Sequence, residues 1–582
     1  MKAVPRPEYP RPDFQRTSWQ SLNGDWSFSF DDNDRGKVEH WYLHESFGSK
    51  IIVPFVYQSK ASGINDTSYH PIQWYQQSCK ISLSDPLIRK YLCFGAVDFY
   101  AEVWINGVYL GSHTGGYTPF SFDVTDFIHP DTENSFVVRS QDLYDCSQPR
   151  GKQYWKESND RCWYTPSSGI WQSVWIEERP ALHLEALHLQ TDIDTSFVSI
   201  SAMLNKIPRH DTSCVISIEK DGRLVQKSSF QVIDQCTDMQ IHIKEDDYID
   251  ETHLWSPESP SLYDVTISLF SSEGTDTVQS YFGMRKIEIQ NGQILLNNKP
   301  LYQRLILDQA YWENTLLTAP TDESFIKDIQ LIKSMGFNGV RLHQKIEDPR
   351  FYYWTDKLGL LVWAEMPSTY SFNPIAQNNL LEELQAFIQR DRNHPSIICW
   401  VPLNESWGVR NIYANSEQQQ FAVALYHLIK VLDNTRIIDT NDGWEQVTSD
   451  ICGVHDYIQD GDGFSHIWKD LNILLDGTAQ GKMIYANRFS YESQPILVTE
   501  FGGIAFSSDV GGLNWGYADS VEDESQFLRR LKSLIHAIRT KHEIQGFCYT
   551  QFTDVMQEVN GLLSIDREPK CSIEEIRNII QH

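Results

Sequence analysis

No apolar run in the 582-residue chain approaches the roughly 18 residues that cross a membrane as a helix. The opening stretch MKAVPRPEYPRPDFQR places no apolar segment behind its basic residues, so no secretory signal is expected. Ten cysteines are scattered with no CxxC pair, which excludes zinc ribbons and dithiol redox motifs. The expectation is a cytoplasmic protein with reduced thiols. Basic residues are in deficit, 49 Lys and Arg against 78 Asp and Glu, for a net charge of −29 and a pI near 5.0. Such a surface repels phosphate backbones and anionic lipid, which argues against nucleic acid and membranes as partners. A phosphate-binding glycine motif, a metal triad, internal repeats and low-complexity segments are also missing.

Aromatic residues are plentiful at 13%, with 18 Trp, 27 Tyr and 28 Phe. They suit well-packed sheet cores, and also sugar binding, because apolar sugar faces stack on rings. The length predicts several domains. Residues 1 to about 180 alternate in the manner of short strands, among them Asp25–Phe30, Lys90–Phe94, Ala101–Ile105 and Phe136–Ser140, with Asn106-Gly107 as a hairpin turn. A jelly-roll β-sandwich is expected there. Residues 181–286 continue as strands, including Leu184–Gln190, Phe197–Leu204, Ser213–Lys220 and Tyr263–Phe270, with Asp221-Gly222 as a turn. That length and pattern predict an immunoglobulin-like β-sandwich.

From residue 287 the pattern changes. Apolar strands at Tyr302–Leu307, Asn338–His343, Leu360–Glu365, Ile397–Asn404, Arg436–Thr440, Ile451–His455, Ile496–Glu500 and Gln545–Gln551 alternate with helical stretches such as Asp322–Met335, Asn379–Arg392, Ser416–Leu432 and Glu522–Arg539. Eight such units over 287–582 predict a (β/α)8 TIM barrel, with a weak helix in the fifth unit and a segment at Asp460–Tyr491 that fits neither pattern. Barrel enzymes carry their catalytic groups at the C-terminal strand ends. Glu365, Glu405 and Glu500 fall there. A single such glutamate is equally a structural ion-pair partner. Two, on strands 4 and 7, face one another across the mouth, the arrangement that glycoside hydrolysis requires.

Four stretches sharpen this reading: LNGDWSF at 22–28, SSGIWQSVWIE at 167–177, NHPSIICWVPLNESWG at 393–408 and PILVTEFGG at 495–503. With the three-domain order, they make the chain resemble glycoside hydrolase family 2, which holds β-galactosidases, β-glucuronidases and β-mannosidases. The resemblance covers essentially the whole chain. It implies a retaining exo-β-glycosidase with Glu405 as acid/base and Glu500 as nucleophile. It also implies a carbohydrate substrate and no cofactor, and leaves homo-oligomerisation open. Asn404 matches the family's asparagine that bonds the sugar 2-hydroxyl. Arg341 matches an arginine beside the nucleophile, and Glu365 a supporting acid of strand 3. Tyr457, His455 and Asp456 follow strand 6, where the family places polar pocket residues. His343 reads as a sugar contact or a barrel-rim histidine. Trp407 and Trp515 read as sugar platforms or buried loop anchors. Asp308 and Gln309 end strand 1, and Gln551 ends strand 8. Asp160 lies where some members send a loop aspartate into the pocket, though its spacing differs.

The chain also departs from the family pattern. Metal-dependent β-galactosidases carry a Glu and a His just after strand 3, where this chain has Thr369 and Ser371, so no metal is expected. Strand 8 lacks the tryptophan common in galactosidases and glucuronidases. The glucuronidases' Asn-x-Lys is replaced by Glu558-Val559-Asn560. A neutral glycon is therefore expected, with β-galactoside first. β-Mannoside, α-L-arabinoside, β-glucuronide or a catalytically silent carbohydrate-binding protein remain the alternatives.

Overall fold

Alternating sequences bury one face of each strand, and two such faces make a sandwich core. The computed structural model describes residues 4–44, 46–83, 85–243, 252–475, 477–506 and 514–582. In its first domain one antiparallel sheet runs Ser49–Val53, Gly24–Phe30, Ile72–Lys80, Glu133–Gln141, Tyr100–Ile105 and Val108–Thr114. The other runs Trp19–Ser21, Val174–Pro180, Ile88–Phe94 and Phe120–Asp123. Trp26, Phe28, Tyr75 and Val103 of one meet Leu92, Phe94, Val174 and Ile176 of the other in a common core. Asn106 and Gly107 take φ of 50° and 79°, both left-handed, as a two-residue hairpin turn requires.

The second domain repeats the device. Leu184–Asp192, Phe197–Leu204 and Cys236–His242 face Arg223–Gln231, Ser213–Lys220, Tyr263–Ser271 and Gly274–Phe282. The sandwich closes over Val198, Ile200, Ile216, Val265 and Ile267.

The third domain is an eight-stranded parallel barrel: β1 (Gln303–Asp308), β2 (Gly339–Leu342), β3 (Leu361–Glu365), β4 (Ile397–Val401), β5 (Ile437–Ile438), β6 (Cys452–Asp456), β7 (Ile496–Gly502) and β8 (Ile544–Thr550). The hydrogen-bonded order is β5-β4-β3-β2-β1-β8-β7-β6. Helices α1 (Asp322–Ser334), α2 (Pro349–Leu358), α3 (Pro374–Asp391) and α4 (Ser416–Leu432) follow the first four strands. Short α5 (Gly461–Ile467) and α6 (Leu471–Leu475) follow β6, α7 (Glu524–Arg539) follows β7, and α8 (Ile573–Gln581) ends the chain. Leu305, Leu307, Leu361, Trp363, Cys399, Val401, Leu497 and Cys548 share one cluster with Ile287, Ile294 and Leu296 of the preceding hairpin.

Three barrel expectations change. The fourth strand stops at Val401 rather than Asn404, because Pro402 has no N–H for the ladder. The fifth shrinks to two residues: Ser449 Oγ and Asp450 N donate to Ile438 O, and Asp450 Oδ2 accepts from Ile438 N. Among the described residues no helix joins β5 to β6. The barrel closes there through His455 N to Gly443 O at 3.3 Å and Gln446 Nε2 to Gly453 O at 3.1 Å. No helix of the described residues is long and apolar enough to cross a membrane.

The first domain docks on the barrel mouth. Arg150 and Gly151 donate their amides to Ser368 O, and Trp163 Nε1 reaches Tyr370 OH at 2.8 Å. Gly151 has φ of 56°, and a Cβ there would lie 2.1 Å from Gln344 O. Only glycine fits so close an approach to the β2 loop.

Candidate active site

Period-two alternation turns Arg341 of β2 and Glu365 of β3 into the barrel above its apolar layers, where both are fully buried. Arg341 is the hub. Its Nη1 lies 2.8 Å from Glu500 Oε1, its Nη2 2.8 Å from Asn404 Oδ1, and its Nε 2.9 Å from Glu365 Oε2. A buried guanidinium needs this many acceptors, since an unpaired one is costly to desolvate. Glu365 also accepts from Gln344 Nε2 at 2.6 Å and pairs with His343 Nδ1 at 3.1 Å.

Glu405 follows β4 with φ of 52°, and its amide donates to Asp442 O at 2.9 Å. That left-handed turn is strained for a glutamate and is held by its surroundings. His455 joins the two sides of the site: Nδ1 is 2.8 Å from Glu405 Oε1, and Nε2 is 3.2 Å from Asp442 Oδ2 and 3.5 Å from Glu500 Oε1. Burial alone lowers the His455 pKa, but the charges of Glu500 and Asp442 and the bonds to Asp442 and Glu405 raise it to about 10. Burial also pushes Glu500 upward, yet the His455 and Arg341 charges outweigh it and hold the carboxylate below its ordinary range. Tyr457 donates its hydroxyl to Glu500 Oε2 and stacks on Tyr517 at 4.2 Å. Burial, then the Lys152 and Arg341 charges, push His343 far down, so it is neutral. One ligand atom from each of Glu405, His455 and Glu500 lies within 4.8 Å of the others. This trio has metal-ligand spacing, but an imidazolium has no lone pair to give a cation.

Several expected residues therefore converge: Glu405, Glu500, Asn404, Arg341, His343, His455 and Tyr457, with Glu365 beneath. Asn404 Nδ2 is buried with no hydrogen-bond partner. Trp407 edges the same space, packed on Trp163 at 5.7 Å.

Others stand apart. Asp456 turns away: Oδ2 accepts from Trp468 Nε1 at 2.7 Å and Oδ1 from Ile458 N, because its neighbour His455 takes the inward position. Asp308 caps its own turn by accepting from Ala310 N at 2.8 Å, with Arg567 and Lys345 as its nearest charges. Trp515 packs edge-on against Tyr517 and lines an outer cleft of about 500 Å³ with Tyr144, Lys156 and Arg161. Asp160 is exposed in that cleft rather than in the pocket. Gln551 is fully buried and donates to Asn560 Oδ1 at 2.7 Å, whose Nδ2 donates to Glu558.

Sequence reasoning missed Asp442, Tyr517 and Lys152. Asp442 lies in Asn441-Asp442-Gly443, which reads as an ordinary turn. Lys152 lies in the first domain, some 250 residues from Glu405, with no local pattern to mark it.

Comparison with known proteins agrees with this architecture. The profile "Glycosyl hydrolases family 2, TIM barrel domain" matches residues 287–582. The family's sugar binding domain matches 19–180, and a third family profile matches 182–285. A protein named β-galactosidase from Priestia megaterium is 26% identical over 476 residues, covering 72% of this chain and 43% of that protein. A putative β-glucuronidase from Formosa agariphila is 27% identical over 443 residues, covering 74% and 51%. The chain thus spans about half the length of these curated relatives. The crystal structure of Ruminococcus gnavus β-glucuronidase superposes with a TM-score of 0.78 at 18% identity, covering 99% of this chain and 100% of that one, which speaks to the fold alone. With profiles over all three domains, the chain belongs to glycoside hydrolase family 2.

Proposed function

We propose that the protein is a retaining exo-β-glycosidase with Glu500 as nucleophile and Glu405 as acid/base. The observation that carries this is that one oxygen of each carboxylate lies within 4.8 Å of the other, with His455 bonded between them. Retaining enzymes separate their carboxyl groups by about 5–5.5 Å, and inverting enzymes by about 6.5–9.5 Å to admit water. The Glu500 carboxylate attacks the anomeric carbon while Glu405 delivers a proton to the departing oxygen. A glycosyl ester on Glu500 results. Glu405 then takes a proton from water, which opens the ester and releases the β-anomer. His455, Arg341 and Tyr457 hold Glu500 ionised and oriented. The unpartnered Asn404 amide is positioned to donate to the sugar 2-hydroxyl.

The glycon we propose is neutral, with β-galactoside first. Glu558 is fully buried rather than solvated, bonded to Tyr164 OH at 2.5 Å and Asn560 Nδ2 at 3.1 Å. It stands where the asparagine of a glucuronidase's Asn-x-Lys is expected, and the neutral amide of Asn560 stands where the lysine is expected. The galactosidase names among the relatives point the same way. A panel of aryl β-galactoside, glucuronide, mannoside and α-L-arabinoside tests this by kcat/KM, and proton NMR of the first-formed sugar tests retention. Preference for the glucuronide overturns the glycon assignment, and an initial α-anomer overturns double displacement.

A further inference from the structure

Lys152 belongs to the first domain, yet its ammonium lies at the barrel's charged centre. The side chain is 4% exposed and its Nζ sits 4.8 Å from the centroid of the Trp407 ring, two residues beyond Glu405. Its charged neighbours are Glu558, Glu500 and Glu405. The backbone that carries it is pinned: Gly151 abuts Gln344 O, and Lys152 O accepts from Tyr164 N at 2.8 Å. Among the described residues the ammonium has no hydrogen-bond acceptor. Its N–H donors are therefore open to an oxygen that enters the pocket.

We infer that Lys152 is a specificity residue of the glycon pocket, donating to a hydroxyl oxygen of an uncharged sugar. The inference rests on the glycosidase reading of the site. An ammonium facing a sugar could also pair with a sugar carboxylate, but the surroundings oppose it. Lys152, Arg341 and His455 are set among Glu365, Asp442, Glu500 and Glu558, with the proposed acid Glu405 beside them. A uronide would bring a further carboxylate into a site already rich in them. Glu558, held by Tyr164 and Asn560, already faces Lys152 with a carboxyl of the protein's own, which burial pushes up and the Lys152 charge pulls down. Asn404 is assigned to the 2-hydroxyl, so Lys152 takes one of the others.

The test is a cycle of enzyme and substrate changes. Lys152→Met keeps the stem over Trp407 and removes the donor. It should lower kcat/KM for aryl β-galactoside about 10- to 100-fold, as expected for a hydrogen bond from a charged group. Monodeoxy galactosides lacking the 3-, 4- or 6-hydroxyl identify the partner. For one of them the wild type should lose a similar factor while Lys152→Met loses nothing more. A purely structural role would give additive losses at every position, and would overturn the proposal. Unchanged kcat/KM in Lys152→Met overturns it too, as does a selective loss of glucuronide turnover, which would assign the lysine to a carboxylate. Lys152→Gln serves as the second variant if the methionine variant does not fold. Azide rescue of Glu500→Gly tests the glycosidase reading separately, so the two failures can be told apart.

Discussion

His455 Nδ1 lies 2.8 Å from Glu405 Oε1, so the proposed acid/base is held by a buried imidazolium. The ring stays charged up to about pH 10. The sign follows from linkage: a histidine pKa raised on folding stabilises fully below the unfolded value, near 6.5, and the benefit is lost as pH rises through about 10. Nitrogen-15 NMR of His455 should show imidazolium at pH 8. A neutral ring with a midpoint near 6.5 would remove the charge from this account. His455→Asn keeps a donor near Glu405, whereas His455→Gln keeps one near Asp442. The glutamine variant should show the larger loss with poor leaving groups.

Glu500→Gly should abolish turnover of every substrate, and azide should restore cleavage of an activated aryl glycoside from the opposite face. Glu405→Ala should slow poor leaving groups far more than activated ones, because general-acid assistance is worth about 10²–10⁴-fold. Equal losses for both kinds of leaving group would reassign the acid/base.

Catalysis should be independent of divalent metal. Thr369 Oγ1 is bonded to Ser371 O at 3.3 Å, and neutral hydroxyls are poor ligands for a hard ion. Dialysis against EDTA should leave kcat unchanged. A loss restored by magnesium would count decisively against this.

Glu383 of α3 is buried at the interface with the first domain, where Oε1 accepts from Tyr117 N at 2.9 Å and Oε2 has no partner. Burial pushes its pKa up to about 8, against the opposing pull of the Tyr117 and Gly116 amides. A carboxyl raised on folding is protonated in the native state and ionised when unfolded. Between about pH 4.5 and 8 stability therefore falls with rising pH, by at most about 1.4 kcal/mol per unit. Glu383→Gln removes that dependence. Denaturant unfolding at pH 5 and pH 8 should show the variant gaining on the wild type by about 1–3 kcal/mol at the higher pH. A constant difference between the two would refute the linkage.

Much of this molecule was legible before folding. Strand alternation and the Asn106-Gly107 and Asp221-Gly222 turns marked the two sandwiches, because backbone pleat and left-handed turn geometry are local properties. Glu405 and Glu500 were legible because an acid after an apolar strand has few local reasons to be there. Asp456 misled for the same reason in reverse. It adjoins His455 and Tyr457 in sequence, but adjacent strand residues point to opposite faces, and Trp468 takes its carboxylate. The two-residue β5 was not legible, since side-chain bonds from Ser449 and Asp450 replace its ladder.

By itself the sequence determined the three-domain order and the barrel, which follow from periodicity, and it placed Glu405 and Glu500 at strand ends, where motifs resembling family 2 single them out. The tertiary structure alone decided how Glu500 is charged and what else reaches the two carboxylates. Arg341, Asp442 and His455 come from three separate strands or loops, and their mutual Coulomb energies depend on distances that no spacing along the chain encodes. Lys152 is the extreme case. It reaches the Trp407 ring because Gly151 lets its first-domain loop lie flush against the β2 loop, a contact set by the packing of two domains.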